Sequence, residues 1–100
     1  MAAGGQQEPG AAELYFRECF EVNESLIGPN EPETLAMLRR LALVYIDEAR
    51  WPEAEERCRL LCTRWEAAAG PAHARTLDAR ASWAGTLYQL GRNAEACAVL

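Results

Sequence analysis

An all-α stack of antiparallel helix pairs, about two and a quarter units long, is the predicted fold class, and three observations predict it. The first is a 42-residue echo: Gly28-Pro29 with Thr34-Leu35 returns as Gly70-Pro71 with Thr76-Leu77 in the same register. Sliding residues 12–58 onto 54–100 without a gap gives twelve identical pairs in 47. This Ala-, Glu- and Leu-rich composition gives roughly four or five by chance, and a fixed period of this size marks stacked supersecondary units. The second is the helical period of Leu35, Leu38, Leu41, Ala42 and Tyr45, which fall on one stripe. The third is punctuation, because Gly and Pro recur where each helix has to stop.

The elements follow in chain order. Residues 1–10 read as a flexible tail, rich in Gly and Gln. Ala12 to Ile27 reads as the second helix of a unit whose first helix is absent, closed by Gly28-Pro29. Asn30 followed by Glu33 approximates a capping box and Pro32 suits a first turn, so a helix is expected over 31–49. Arg50-Trp51-Pro52 breaks it. Glu53, Glu55 and Glu56 then supply the acidic first turn that a helix dipole favours, and that helix runs to about Ala69, where Gly70-Pro71 ends it. Residues 72–90 form the next first helix, Gly91-Arg92 its turn, Asn93 an N-cap, and Ala94–Leu100 the beginning of a partner helix. The organisation is therefore a tail over 1–10, a partial repeat over 11–27, a complete repeat over 28–69 and a repeat truncated in its second helix over 70–100.

Composition narrows the function classes. Half of the chain is apolar, which permits a small core. A net charge of −5 argues against duplex nucleic acid as a partner, since that affinity rests on Lys and Arg neutralising phosphates. The beginning of the chain has no basic n-region followed by an apolar stretch, and no apolar run approaches 18 residues, so neither a signal peptide nor a membrane span is expected.

The stretches "GPNEPETLAMLRRLALVYIDEARWPEAEERC" and "GPAHARTLDARASWAGTLYQLGRNAEACAVL" resemble the 42-residue tetratricopeptide repeat of kinesin light chains and nephrocystin-like proteins. His73, Thr76 and Leu77 match that pattern at the second corner, and Pro32, Thr34 and Leu35 at the first. Leu41-Ala42 and Tyr45 match the first helix, while Arg50, Glu53 and Ala54, then Gly91, Arg92, Glu95 and Ala96, match the turn. Glu31, Ala74, Leu87 and Ala49 depart from it. Arg39-Arg40 and Ala81-Ser82 stand where the kinesin-light-chain type commonly carries an Asn pair. The resemblance implies a right-handed solenoid, a cytoplasmic location and a non-catalytic adaptor that presents a concave groove to a protein or peptide. It places Arg39, Leu43, Ile46 and Asp47 of the first unit and Asp78, Gly85, Tyr88 and Gln89 of the second in that groove.

Each shared residue also has a physical reading. Ala42, Ala54, Ala84 and Ala96 are small where two helices cross closely, and Leu38, Leu41, Tyr45, Leu77 and Trp83 are bulky because they fill space between units. Arg39 suits a carboxylate, and Arg39 and Arg40 equally suit solvated helix charges. Two alternatives stay open. Exposed apolar ends near Phe16, Phe20 and Val99-Leu100 favour a self-associating homo-oligomeric scaffold. Cys58 and Cys62, four apart on one helix face, suit a thiol or metal function, which requires an accessible cysteine of lowered pKa or further ligands. No Ser/His/Asp set or phosphate loop is present in the sequence, so neither catalytic residues, nor metal, nor cofactor are expected.

Overall fold

The computed structural model describes residues 10–100 and contains five helices and no strand among them. They are α1 (Ala11–Leu26), α2 (Pro32–Asp47), α3 (Trp51–Ala69), α4 (Ala74–Gln89) and α5 (Asn93–Val99). The tail expected over residues 1–10 lies outside the described residues except for Gly10, which is the N-cap of α1. Each helix packs on the next in sequence, with α3 on α4 the most extensive pairing. The result is a slab of 47 × 38 × 15 Å.

The echo in the sequence is an echo in space. Pro32 and Ala74 open α2 and α4, and Trp51 and Asn93 open α3 and α5, each pair 42 residues apart. At the corners, Gly28 and Gly70 have φ of 116° and 93°, backbone that residues with a Cβ rarely adopt. The Thr34 hydroxyl donates to the Gly28 carbonyl at 2.7 Å, and the Thr76 hydroxyl to the Gly70 carbonyl at 2.8 Å. Both threonines are fully buried, so each closes its corner from within. The turns after α2 and α4 match as well. Arg50 N–H bonds the Tyr45 carbonyl and Ala49 N–H that of Ile46; Arg92 N–H bonds Leu87 and Gly91 N–H bonds Tyr88. This is the Schellman pair of bonds at a helix end.

Helix starts depart from expectation. The N-caps are Glu31 and Arg92 rather than Asn30 and Asn93, and neither makes a side-chain cap bond. Pro32 at the first helical position, with its φ already set, is enough to start α2. Among the described residues only His73, at the register of Glu31, caps its helix with its side chain, accepting the Arg75 N–H at Nδ1.

Three apolar clusters hold the slab. Phe20, Leu35, Leu38, Leu61, Cys62 and Ala79 join α1 to α4. Leu41, Tyr45 and Ala54, with Phe16 and Ile46 against them, join α2 to α3, and Ala84, Leu87 and Ala96 repeat that arrangement between α4 and α5. The four alanines at the crossings are all buried. Two expectations are corrected. Phe20 is core rather than an exposed end, and Phe16 is half-buried, edge-on to Tyr15. Leu77 fills no inter-unit space: it is 49% exposed while its counterpart Leu35 is 0% exposed. Leu35 is closed off by α3 and α4, whereas the seven-residue α5 gives Leu77 no equivalent cover.

Candidate partner-binding surface

The residues expected to face a partner sit at matching registers of α2 and α4. Arg39 and Asp78 meet: the guanidinium Nε lies 3.4 Å from the carboxylate Oδ2, tying α2 to α4. Both side chains are about half in water, so the pair stabilises by about 0–1 kcal/mol and opens readily. Leu43 and Asp47 are exposed on α2. Ile46 is not a free groove residue, because half of it packs against Leu41, Tyr45 and Ala54. Gln89 is exposed at the last position of α4. Gly85 and Tyr88 come together in a different place from Arg39: with Ala81, Cys97 and Leu100 they line an apolar hollow of about 610 Å³ between α4 and α5. Tyr88, 63% exposed, therefore belongs to the end face of the stack as much as to the α2–α4 face.

The strongest polar site was not singled out in the sequence. Glu13 on α1 is 1% exposed and receives the Tyr45 hydroxyl at 3.0 Å, the Arg50 guanidinium at 2.7 Å and the Arg17 guanidinium one turn along. Burial pushes this carboxyl toward protonation, but the hydrogen bonds from Arg50 and Tyr45, the Arg50 charge and the Arg17 hydrogen bond outweigh it and hold its pKa below the ordinary value. Arg50 also lies 4.7 Å above the Tyr45 ring, so one cluster fastens α1, α2 and the turn into α3. The repeat carries a counterpart. Glu55, at the register of Glu13, is buried and accepts the Trp83 indole N–H at 2.8 Å, with Arg59 one turn on. Glu55 is therefore a link between α3 and α4 rather than only an acidic first-turn residue. The signal that finds both is their identity across the 42-residue offset.

The thiol alternative meets the opposite environment from the one it needs. Cys58 is buried, and desolvation, followed by the charge of Glu55, pushes its thiol up to about 12. Cys62 is buried in the main cluster, Cys19 is half-buried and Cys97 is exposed. Among the described residues no group of three or more His, Cys, Asp or Glu is arranged to hold a metal ion, and no helix is long and apolar enough to cross a membrane.

Comparison with known proteins gives one match. Residues 34–75 fit the family model of the tetratricopeptide repeat, a stretch that runs through α2, α3 and the second corner and equals one period of the echo. No curated protein and no solved structure gives a significant match. Tetratricopeptide repeats are non-catalytic modules that generally mediate protein–protein interaction. Residues 34–75 are thus similar to a tetratricopeptide repeat, within an all-α stack whose helices repeat at the same 42-residue spacing.

Proposed function

We infer that this protein is an adaptor, using the face formed by α2 and α4 to hold a segment of a partner protein. The observation that carries the reading is the make-up of that face. Leu43 is exposed without a packing partner in the three clusters, beside an Arg39–Asp78 pair that is weak enough to exchange for a ligand's own charges. Exposed apolar side chains next to displaceable charges suit a peptide that brings both kinds of group. On this reading residues 28–69 are the complete unit, the kinesin-light-chain-like likeness extends to the groove, and the location is cytoplasmic. The backbone clamp of that subtype is not expected to carry over, because Arg39-Arg40 and Ala81-Ser82 replace its amide pair.

The test is selection of binders from a displayed random-peptide library, followed by affinity measurements on variants. Leu43→Asp and Arg39→Ala, both at surface positions, should each weaken the selected peptides by roughly tenfold, the loss expected of an interface contact worth more than about 1 kcal/mol. Binding that ignores both substitutions would remove the α2–α4 face from the account.

A second reading is favoured by the ends of the stack. Leu14, Tyr15, Val22 and Leu26 are exposed on α1, and Leu77, Tyr88 and Leu100 at the other end. Self-association through these faces predicts a sedimentation coefficient that rises with concentration and falls back in Tyr88→Asp.

A further inference from the structure

Seven of the ten arginines are ion-paired: Arg17, Arg39, Arg50, Arg59, Arg64, Arg80 and Arg92. Arg40, Arg57 and Arg75 have no carboxylate partner among the described residues. In a chain of net charge −5, cations left without a partner are the scarce sign. Two of the three, Arg40 and Arg75, line one cavity of about 230 Å³ together with Arg39.

The cavity lies between the first half of α2, the C-terminal end of α3 and the first turn of α4, and Leu35, Ala36 and Trp65 form its less polar wall. Trp65 is held by stacking on His73, ring centroids 5.5 Å apart and planes within 5°. Arg40 sits 5.9 Å from the Phe16 ring centre, at the outer limit of a cation–π contact, and its side chain donates no hydrogen bond among the described residues. Among the described residues Arg39 pairs only with the half-exposed Asp78. Three arginines line the cavity, and two of them have no carboxylate partner among the described residues. A phosphate monoester carries about −1.5 to −2 charges and three acceptor oxygens, and planar guanidiniums bind such oxygens in pairs.

We propose that this cavity is a phosphate-monoester site that takes one phosphorylated side chain of a partner segment, its carbon part against Trp65 and its oxygens on Arg39, Arg40 and Arg75. The size of the cavity admits a single side chain. The proposal rests on the adaptor reading only for what carries the phosphate, and the site is tested without a peptide so that the two fail separately.

Phenyl phosphate is titrated into the full chain at fixed ionic strength, following the Trp65 indole N–H and the arginine Nε–H signals by two-dimensional NMR, with benzoate as the carboxylate comparator. The expected result is saturable movement of these signals by phenyl phosphate and a weaker response to benzoate. Arg40→Ala and Arg75→Ala should each weaken binding roughly tenfold or more, as loss of a charged hydrogen bond does. Far-ultraviolet circular dichroism should stay unchanged, since both residues are exposed. Arg75→Lys, which keeps the charge but not the fork, should fall between Arg75→Ala and the parent. Shifts that grow linearly without saturation, an equal response to benzoate, or binding unaffected by either alanine variant would overturn the proposal.

Discussion

Ala49 occupies a backbone position that the second repeat gives to glycine. Its φ is 56°, at the register of Gly91 with φ 79°, and among the described residues no other residue with a Cβ has positive φ. The left-handed region costs an L-residue about 1–2 kcal/mol, partly offset because glycine gives the unfolded chain more freedom to lose. Ala49→Gly should therefore stabilise the protein by about 0.5–1 kcal/mol, measured by reversible urea unfolding. Glu13 is the opposite case, a side chain whose loss leaves charges stranded. Glu13→Gln should cost about 3 kcal/mol at neutral pH, at the low end for breaking a buried pair because Arg50 stays 25% exposed. The pKa of Glu13 is lowered by folding, so its contribution is present above the unfolded carboxyl value of about 4.3 and is lost as pH falls through the lower folded value. Stability measured below about pH 4 should consequently fall less steeply in Glu13→Gln than in the parent. Cysteine chemistry divides along burial: in native buffer a water-soluble thiol reagent should modify Cys97 at once and Cys58 and Cys62 only at the rate of unfolding.

At the scale of helices, what was legible in the sequence is what local chemistry decides. Gly28, Gly70 and Gly91 and the prolines mark the corners because backbone geometry alone demands them, and the stripe from Leu35 to Tyr45 gives the buried face of α2 because periodicity alone fixes it. The N-caps shifted by one residue, since Asn30 and Asn93 make no cap bond while Pro32 sets the start of α2 by its ring. Glu13 was opaque for a different reason: its partners Tyr45 and Arg50 lie 32 and 37 residues away and only the packing of α1 on α2 delivers them. The candidate surface was legible as a set of registers but not as contacts. Arg39 finding Asp78 and Tyr88 turning toward α5 depend on how neighbouring units cross. Within the stack α5 is the shortest element, with seven residues packed chiefly on α4. Its amides should show the lowest hydrogen-exchange protection of the five helices, below those of α2 and α3 by at least tenfold, because an element with one main neighbour opens without the rest.

At the scale of the molecule, the repeat distributes two tasks along one chain. Buried residues that recur at 42-residue spacing, such as Thr34 and Thr76 or Glu13 and Glu55, hold helix to helix and corner to corner. Surface positions at the same spacing are free to differ: Leu43 answers to Gly85, and Arg39 to Ala81. On the proposed adaptor reading, such divergence gives the α2–α4 face a pattern that one partner segment reads along its length. The most direct test is amide chemical-shift mapping of the full chain with a peptide selected for binding to it. If the α2–α4 face holds the partner, the shifted amides cluster around Arg39, Leu43 and Asp78 on α2 and α4. Shifts confined to the exposed face of α1 or to α5 would contradict that reading and assign the interaction to the ends of the stack.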